Sequence, residues 1–550
     1  MTIIEILLTA LAVVGVSALM NYFWPSRRGN FWQNTLITTG TVLIGLSVSQ
    51  YFFPPKGKAP EGTAAAQLCP PAERPLNREV DFVDAKQRKA PVETEVETTW
   101  GQLTFTTNGA VLDRIGFRRT VNGHERMSYT ISPAGQYERE DRCFLVAFDQ
   151  ETPYHYEFVD RRDGEEDVQL TYEARSSRAT VRKIYAISKK LCTVDLTLEV
   201  EPRGDATLTP RLFFPSPIVP GCSIGGDQSR SSLFGGPPPD PTVLFVMNGA
   251  STKKLSGTAL AENTCSWPLP EVFGTDGRYF IHALVKDPTK FAQRAYTGPA
   301  NRCAVTSILE GPAVTEATRW QLSFYMGPKE ERAFMPVEPR FDQLLGYYWI
   351  LAPLSKLLLR ILNLLYDYVH NYGWAILLLT LLIKLLMLPF SIRADRSMKQ
   401  RGELEKKLNY IQQKYKHDRA RLEQERAEFI RKHGIPGMGG CLPMLLQLPI
   451  FVALNSVLSV ALELHQAPFL WIPDLSAADP YYILPAILVG GMLLQSLTVD
   501  QKNRFSMVAT AVIFGAFSVN FASGLILYIA ANSVLSVAQT KVLQLLRIVK

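Results

Sequence analysis

An apolar run at residues 372–390 decides the fold of this chain, and it reads Tyr-Gly-Trp-Ala-Ile-Leu-Leu-Leu-Thr-Leu-Leu-Ile-Lys-Leu-Leu-Met-Leu-Pro-Phe. A helix needs about 20 mainly apolar residues to cross ~30 Å of hydrocarbon, because each residue adds ~1.5 Å of rise. This run is close to that length and holds a single charged residue, Lys384. It therefore predicts a transmembrane helix with one cation inside it.

Working outward, six further stretches have a similar length and apolar character. They are residues 3–24, 31–53, 442–464, 481–497, 505–521 and 524–546. Residues 56–340 instead alternate short apolar stretches with Gly, Pro and charged residues. The sequence therefore predicts a membrane α-helical bundle, with two N-terminal spans in residues 1–55 and a five-helix core in residues 372–546, that carries a large domain outside the bilayer.

The charged residues between the spans predict one orientation. Arg27 and Arg28 separate the first two spans, and residues 391–433 hold 13 Lys or Arg against 7 Asp or Glu, so both regions belong in the cytoplasm. The loop at 465–480 has two Asp residues and no Lys or Arg, which indicates the opposite side. Residues 56–340 then also lie outside. The first span lacks a basic start and an A-x-A site, which favours an uncleaved anchor over a signal peptide.

The large domain has the pattern of β-strands. Apolar and polar residues alternate in Gly101-Gln-Leu-Thr-Phe-Thr-Thr and in Cys192-Thr-Val-Asp-Leu-Thr-Leu-Glu-Val, and Gly and Pro clusters separate such runs. An antiparallel β-sandwich is predicted. The domain contains no nucleophile elbow, phosphate loop or metal-ligand spacing, so we expect neither a catalytic residue nor a metal or cofactor. Six of the seven cysteines lie here, which is compatible with disulfides or with buried thiols.

Two helical regions flank the first span of the core. Residues 341–371 have an apolar face interrupted by Lys356, Arg360 and Asp367, which predicts an amphipathic helix lying in the membrane interface, anchored by Tyr347, Tyr348 and Trp349. The alternative is a helix packed on the sandwich. Residues 391–437 predict an antiparallel helical hairpin in the cytoplasm. Its charges form either a solvated face or a docking site for a ribosome, a nascent chain or a targeting factor.

Lys384 is the residue to which the pattern assigns a mechanism. It lies 12 residues after Tyr372, or about 18 Å into the bilayer, where a lysine costs ~2.5–3.5 kcal/mol. The spans of the core, from residue 372 to residue 546, contain no Asp or Glu except Glu463 at the outer edge, but they do contain amides and hydroxyls. Such groups should face one another or water, which predicts a hydrated groove open to the cytoplasm. The alternatives are snorkelling of Lys384 and helix packing by the single polar residues. The polar residues in question are Thr380, Gln447, Asn455, Gln495 and Asn532.

Three stretches of the C-terminal block resemble the YidC family of membrane protein insertases. They are Gly439-Gly-Cys-Leu-Pro-Met-Leu-Leu-Gln-Leu-Pro-Ile-Phe-Val-Ala-Leu, Gln466-Ala-Pro-Phe-Leu-Trp-Ile-Pro-Asp-Leu-Ser, and Ser523-Gly-Leu-Ile-Leu-Tyr with Asn532. The resemblance implies a periplasmic β-sandwich and a core whose groove holds one essential cation, usually arginine. Lys384 occupies that position here, and Ile529 stands where relatives often place an aromatic residue that touches the substrate. With the polar residues above and Tyr528, these residues form the substrate-binding set that we expect.

The resemblance also implies the function and the partners. We expect an insertase and chaperone of the bacterial inner membrane, which receives newly synthesised proteins from the cytoplasm, alone or with the Sec translocon. Nascent membrane proteins, the ribosome and membrane lipids are the expected partners. Sequence-specific nucleic acid is not expected, since no arginine-rich stripe interleaved with aromatic residues is present. The alternatives are a secondary transporter or other lipid- or ion-handling membrane protein, although ion coupling normally uses an intramembrane carboxylate, and an enzyme with a sugar-active sandwich.

Overall fold

The computed structural model describes residues 70–545 with gaps at 73, 84–89, 122–123, 132–142, 150, 218–241, 256–264, 299–304, 346–350, 416–420, 426, 429–441, 497–507, 509–510, 513, 517 and 520. The two predicted N-terminal spans lie outside the described residues. The chain divides into a small unit of residues 1–75 and 264–266 and a large unit that contains the remainder. In the small unit, Pro71 forms a β-bridge with Cys265.

The large unit begins with a β domain whose described strands run from residue 93 to residue 328. They are β1 (Glu93–Glu97), β2 (Gly101–Thr106), β3 (Val111–Val121), β4 (His124–Ile131), β5 (Leu145–Ala147), β6 (Glu157–Asp163), β7 (Asp167–Arg175), β8 (Ala179–Ser188), β9 (Thr193–Pro202), β10 (Arg211–Pro215), β11 (Val243–Asn248), β12 (Ser251–Leu255), β13 (Ser266–Pro268), β14 (Val272–Asp276), β15 (Phe280–Lys286), β16 (Arg294–Thr297), β17 (Thr306–Glu310) and β18 (Thr318–Pro328).

These strands form three sheets. The largest has nine strands in the order β12-β11-β14-β15-β18-β9-β8-β7-β6, and the others have the orders β1-β2-β3-β4 and β13-β16-β17-β10-β5. In the large sheet, the antiparallel register sets Tyr185 opposite Leu196 and Leu196 opposite Leu322. Buried and part-exposed residues alternate along β7, as expected for a strand with one face in the core. The predicted antiparallel β domain is confirmed.

One face of the nine-stranded sheet packs on both smaller sheets. Phe324 on β18 contacts Phe214 of the five-stranded sheet, with ring centroids 5.4 Å apart. Tyr185 on β8 contacts Phe105 of the four-stranded sheet at 4.8 Å. Such aromatic pairs add to the apolar area that the core buries. The core of the domain therefore lies between the large sheet and the two smaller ones.

Lys183 is a charged residue at an inward position of β8 and is fully buried. Its Nζ donates hydrogen bonds to the carbonyl oxygens of Gly109 at 2.7 Å and Phe144 at 2.8 Å. Burial lowers the pKa of the Lys183 amine well below its usual range. Because buried polar groups are costly unless they are paired, these hydrogen bonds explain how the core accommodates a lysine.

The cysteines of the domain adopt both of the states that the sequence leaves open. Cys143 and Cys192 are buried free thiols. Cys265 is disulfide-bonded. Burial raises the pKa of the Cys192 thiol to about 12, so this side chain stays protonated at neutral pH.

Six α-helices are described after the strands. They are α1 (Glu331–Phe334), α2 (Ala352–Val369), α3 (Tyr372–Lys414), α4 (Leu442–Val460), α5 (Ile483–Ser496) and α6 (Ser523–Leu545). A sharp boundary separates α2 from α3. His370 closes α2 in a left-handed conformation, with φ of 51°, and Asn371 caps α3 by accepting a hydrogen bond from the Gly373 amide at 2.9 Å.

The helix α3 differs from the sequence prediction, which ended a span at residue 390 and began the hairpin at 391. The helix instead continues without interruption to Lys414 and contains Pro389. Proline costs an interior helix one backbone hydrogen bond, but it is tolerated in membrane helices, where neighbouring groups compensate. Beyond α3, residues 421–425 are helical again, as the hairpin prediction requires. Residues 416–420, between these two helical stretches, lie outside the described residues.

The predicted amphipathic helix forms as α2, but it begins at Ala352 rather than near 344, with proline in its first turn. Leu358 and Leu362 are buried in the helical core, and the Ser355 hydroxyl donates to the Ala453 carbonyl at 3.3 Å. Leu357 and Leu364, seven residues apart, remain more than half exposed. The helix thus packs on the bundle with one side and presents leucines on another. The three predicted aromatic anchors lie outside the described residues.

Two described segments are long and apolar enough to cross a membrane, Tyr372–Ile392 and Ser523–Leu543. Shorter apolar helices occupy Pro449–Leu458 and Ile483–Ser496. Described residues at 508, 511–512, 514–516 and 518 are also helical, where a further span is predicted. The five-span core therefore stays a prediction in its full extent.

Candidate functional site

The charged residue of α3 contacts α6. Lys384 is half-buried, and its Nζ donates a hydrogen bond to the Ser536 Oγ at 2.7 Å. The Ser536 hydroxyl in turn donates to the Asn532 carbonyl oxygen at 2.7 Å. Thr540, one turn further along, donates to the Ser536 carbonyl at 3.0 Å. Because residues four apart share a helix face, α6 presents a polar stripe to Lys384.

Lys384 and Ser536 meet at matching depths in their helices. Lys384 is the thirteenth residue of α3, and Ser536 is the fourteenth residue of α6. At ~1.5 Å per residue, both lie about 18–20 Å from the start of their helix, which is past the middle of a ~30 Å hydrocarbon layer. Ser536 is neutral, so this hydrogen bond satisfies one N–H of the ammonium and contributes no opposite charge.

Two of the expected substrate-binding residues are buried in the bundle. Thr380 is 1% exposed, and its hydroxyl donates to the Ile376 carbonyl of its own helix at 2.7 Å. Tyr528 is 2% exposed and belongs to the hydrophobic core of the helices. Gln447 lies next to the Tyr528 hydroxyl, which makes no hydrogen bond of ordinary geometry among the described residues. Thr380 therefore offers no free hydroxyl to a substrate in this arrangement.

The other expected residues divide by exposure. Asn455 is buried on α4. Gln495 on α5 is partly accessible and takes part in a polar interaction. Ile529 and Asn532 on α6 are partly accessible as well. The structure thus places Asn532 one turn before Ser536, the residue that Lys384 contacts, and brings Gln447 together with Tyr528. The role of all eight residues in substrate binding stays a prediction.

The sequence marks Ser536 as one of the hydroxyl groups inside the last span but not as one of the substrate-binding residues, although it is the residue that Lys384 contacts. Two features of the sequence point to this contact. Ser536 lies four residues after Asn532, and its depth in the last span equals that of Lys384 in its own span. A second feature was not foreseen. Gly491 on α5 lies so close to α6 that an added Cβ would be 2.8 Å from the Ser533 Oγ. Small residues permit such close helix approach in membranes.

The helices, the β domain and the buried cation together define a class, namely helical membrane proteins that carry a large antiparallel β domain. A family model described as 60Kd inner membrane protein matches residues 364–548. The chain is 31% identical over 394 residues to the membrane protein insertase YidC of Geobacter sp. (strain M21), covering 68% of this chain and 70% of that relative. With the insertase of Geobacter metallireducens it shares 29% identity over 540 residues, 91% of this chain and 95% of the relative.

A crystal structure of an active YidC insertase, with its first transmembrane domain resolved, covers 82% of this chain and 93% of its own at 18% identity and a TM-score of 0.35. The sequence relatives decide the family. The chain belongs to the YidC family of membrane protein insertases. It is an inner-membrane protein that acts in membrane protein insertion, and newly made membrane proteins are its substrates. The alternative of a secondary transporter is therefore set aside.

Proposed function

We propose that this insertase moves its substrates along a polar path beside Lys384, between α3 and α6, that is open to the cytoplasm and to lipid. The observation that carries the proposal is the hydrogen bond from the Lys384 Nζ to the Ser536 Oγ at 2.7 Å. It holds a cation deep in the helices through a neutral hydroxyl group. Such a charge is tolerated in a bilayer when water reaches it, and water entering from the cytoplasm would form the path.

The substrate enters this path by its hydrophilic tail. Acidic residues of the tail are attracted to Lys384, because a charge in a low-dielectric site acts over a longer range than in water. The hydrophobic segment of the substrate then leaves sideways into lipid. Leu382, Leu385 and Leu386 on α3 are 47–67% exposed and provide an apolar surface for that exit. The free-energy barrier to translocation of the polar tail falls because the tail crosses a shorter layer of hydrocarbon.

A photoreactive residue at Ile529 tests this path. Ile529 lies one turn before Ser533 on α6 and is partly accessible, whereas Val457 on α4 is apolar but only 1% exposed. During synthesis of a single-span protein, we expect crosslinks to the nascent chain from position 529 and only intramolecular products from position 457. Equal capture from both positions, or capture from neither, would place the substrate elsewhere.

We also propose the surroundings in which the protein works. The β domain lies in the periplasm, and the basic hairpin at residues 391–437 contacts the ribosome in the cytoplasm. The insertase works alone on some substrates and beside the Sec translocon on others. No covalent reaction and no cofactor belong to this function, because the work consists of moving a chain between water and lipid.

A further inference from the structure

A polar cavity of about 850 Å³ lies where the end of the β domain meets the helices. Its wall includes Arg119 of β3, Glu330 and Arg332 at α1, Asn363 of α2, Tyr372 of α3, and Glu463. The volume is in the range of cavities that hold small molecules, about 300–1,000 Å³. Membrane insertion as described above does not involve this cavity.

The cavity lies at the level of the membrane surface. Tyr372 is the first residue of the apolar segment that is long enough to span the bilayer. The exposed side chains of Leu357, Leu364 and Tyr368 share one face of α2, the helix that supplies another part of the cavity wall. Such a face is typical of a helix that lies in the membrane interface. Lipid headgroups are therefore the molecules nearest to the cavity.

The inner part of the cavity has carboxylate and amide oxygens without a sufficient donor. Glu330 is deeply buried at the start of α1, and its side chain makes no capping hydrogen bond. Part of its surface stays accessible because the cavity reaches it. Glu463 faces it, and one Glu463 oxygen accepts a hydrogen bond from the Asn363 Nδ2 at 3.3 Å. The Asn363 Oδ1 is buried and has no hydrogen-bond partner among the described residues. A cation with several N–H donors would satisfy all three groups.

The more exposed part of the wall holds several basic residues beside the carboxylates Glu331 and Asp367. Two lining lysines already have carboxylate partners, since Lys329 contacts Asp276 at 2.7 Å and Lys356 contacts Asp342 at 2.7 Å. The lining arginines differ from these lysines, because their guanidinium groups form no ion pair with any residue that the structure describes. These arginines are Arg118, Arg119, Arg332 and Arg360. Guanidinium groups are well suited to bind a phosphate through paired hydrogen bonds.

We propose that the cavity binds the headgroup of phosphatidylethanolamine, with the ammonium among Glu330, Glu463 and the Asn363 Oδ1 and the phosphate toward the lining arginines. A primary ammonium has three donors and carries one charge, which matches the inner wall. A metal ion fits less well, because the described residues contain no group of three His, Cys, Asp or Glu that could hold one. A lysine of another protein would leave the arginines without an anion. This proposal does not depend on the path beside Lys384.

Native mass spectrometry of the delipidated full-length protein tests the proposal at pH 8. The protein is offered phosphatidylethanolamine, phosphatidylcholine or phosphatidylglycerol with the same acyl chains. We expect the protein to retain about tenfold more phosphatidylethanolamine than either of the other two lipids. A tenfold difference in binding corresponds to the loss of about one hydrogen bond to a charged group. Phosphatidylcholine lacks the N–H donors and phosphatidylglycerol lacks the cation. Equal retention of the three lipids, or a preference for phosphatidylglycerol, would overturn the proposal.

A pair of double variants assigns the binding to this cavity. Glu330→Gln with Glu463→Gln should remove the preference for phosphatidylethanolamine, while Glu93→Gln with Glu316→Gln, at exposed positions of the β domain, should keep it. A melting temperature no lower than that of the unaltered protein shows that the first variant is folded, and an unchanged preference in it would refute the site. Soluble glycerophosphoethanolamine at the same concentration should displace little lipid. Full displacement would mean that the cavity takes a soluble ligand and would refute the lipid assignment.

Discussion

At the scale of single residues, we expect two charged side chains to matter most, one for membrane insertion and the other for the stability of the protein. Lys384 lies deep in α3 with a serine as its described hydrogen-bond partner, and Glu330 lies in the wall of a cavity outside the bilayer. Each is costly where it is, because a buried charge loses its hydration. An ionisable residue inside a membrane helix, such as Lys384, is more often functional than structural.

Substitutions of Lys384 test its charge. Lys384→Arg should retain insertion, because arginine keeps the cation and also donates to Ser536. Lys384→Glu should lower insertion by at least about tenfold, since a carboxylate repels acidic substrate tails and costs ~2.5–3.5 kcal/mol in the bilayer. Growth of a depletion strain complemented by each variant is the measurement. Lys541→Glu, an exposed position of α6, is the matched charge reversal and should support growth.

Glu330 should make the stability of the protein depend on pH. Burial, and then the charge of Glu463, raise the pKa of the Glu330 carboxyl to about 7, while Arg119 and Arg332 oppose the shift. The folded state therefore holds a proton that the unfolded state has lost between about pH 4.5 and pH 7, so the free energy of unfolding falls as the pH rises through this window. Glu330→Gln should raise the melting temperature in detergent at pH 8 and leave it unchanged at pH 5. An equal effect at both pH values would contradict the raised pKa.

At the scale of elements, the apolar runs predicted where helices occur, and the alternating runs predicted the strands. These signals are local, so the sequence contains them in full. The junctions are different. The helix α3 passes residue 390 because hairpin residues are also good helix formers, and because Pro389, which ordinarily ends or kinks a helix, is accommodated inside it. The cavity at the β domain escaped prediction because its wall joins residues more than 300 positions apart, such as Arg119 and Glu463.

The packing of α5 on α6 provides a prediction at this scale. An added Cβ at Gly491 would lie 2.8 Å from the Ser533 Oγ, whereas one at Gly490 would meet nothing within 4 Å. Gly491→Leu should therefore separate the two helices and lower the melting temperature, by several degrees for a loss of about 2 kcal/mol. Gly490→Leu is the control with the same added volume and should change it little. Similar melting temperatures for both variants would contradict the close approach.

At the scale of the whole molecule, a large β domain and a helical membrane bundle occur in one chain, and the insertase family is assigned through relatives that cover both parts. The eight expected site residues could be named from polarity within apolar runs. Their contacts could not, because helix rotation decides whether a side chain such as that of Thr380 bonds its own backbone or faces a partner. Only the folded structure shows that Ser536 is the residue that meets Lys384.

Insertion by the purified protein in liposomes tests the central claim most directly. A single-span protein with a short acidic tail is synthesised in the presence of the vesicles, and protease protection of the tail is measured. We expect the tail to be protected from protease with the unaltered protein and with Lys384→Arg. With Lys384→Glu, we expect protection to fall to about the level seen with vesicles that contain no protein. Equal protection by the unaltered protein and Lys384→Glu would contradict a path that depends on the cation in α3.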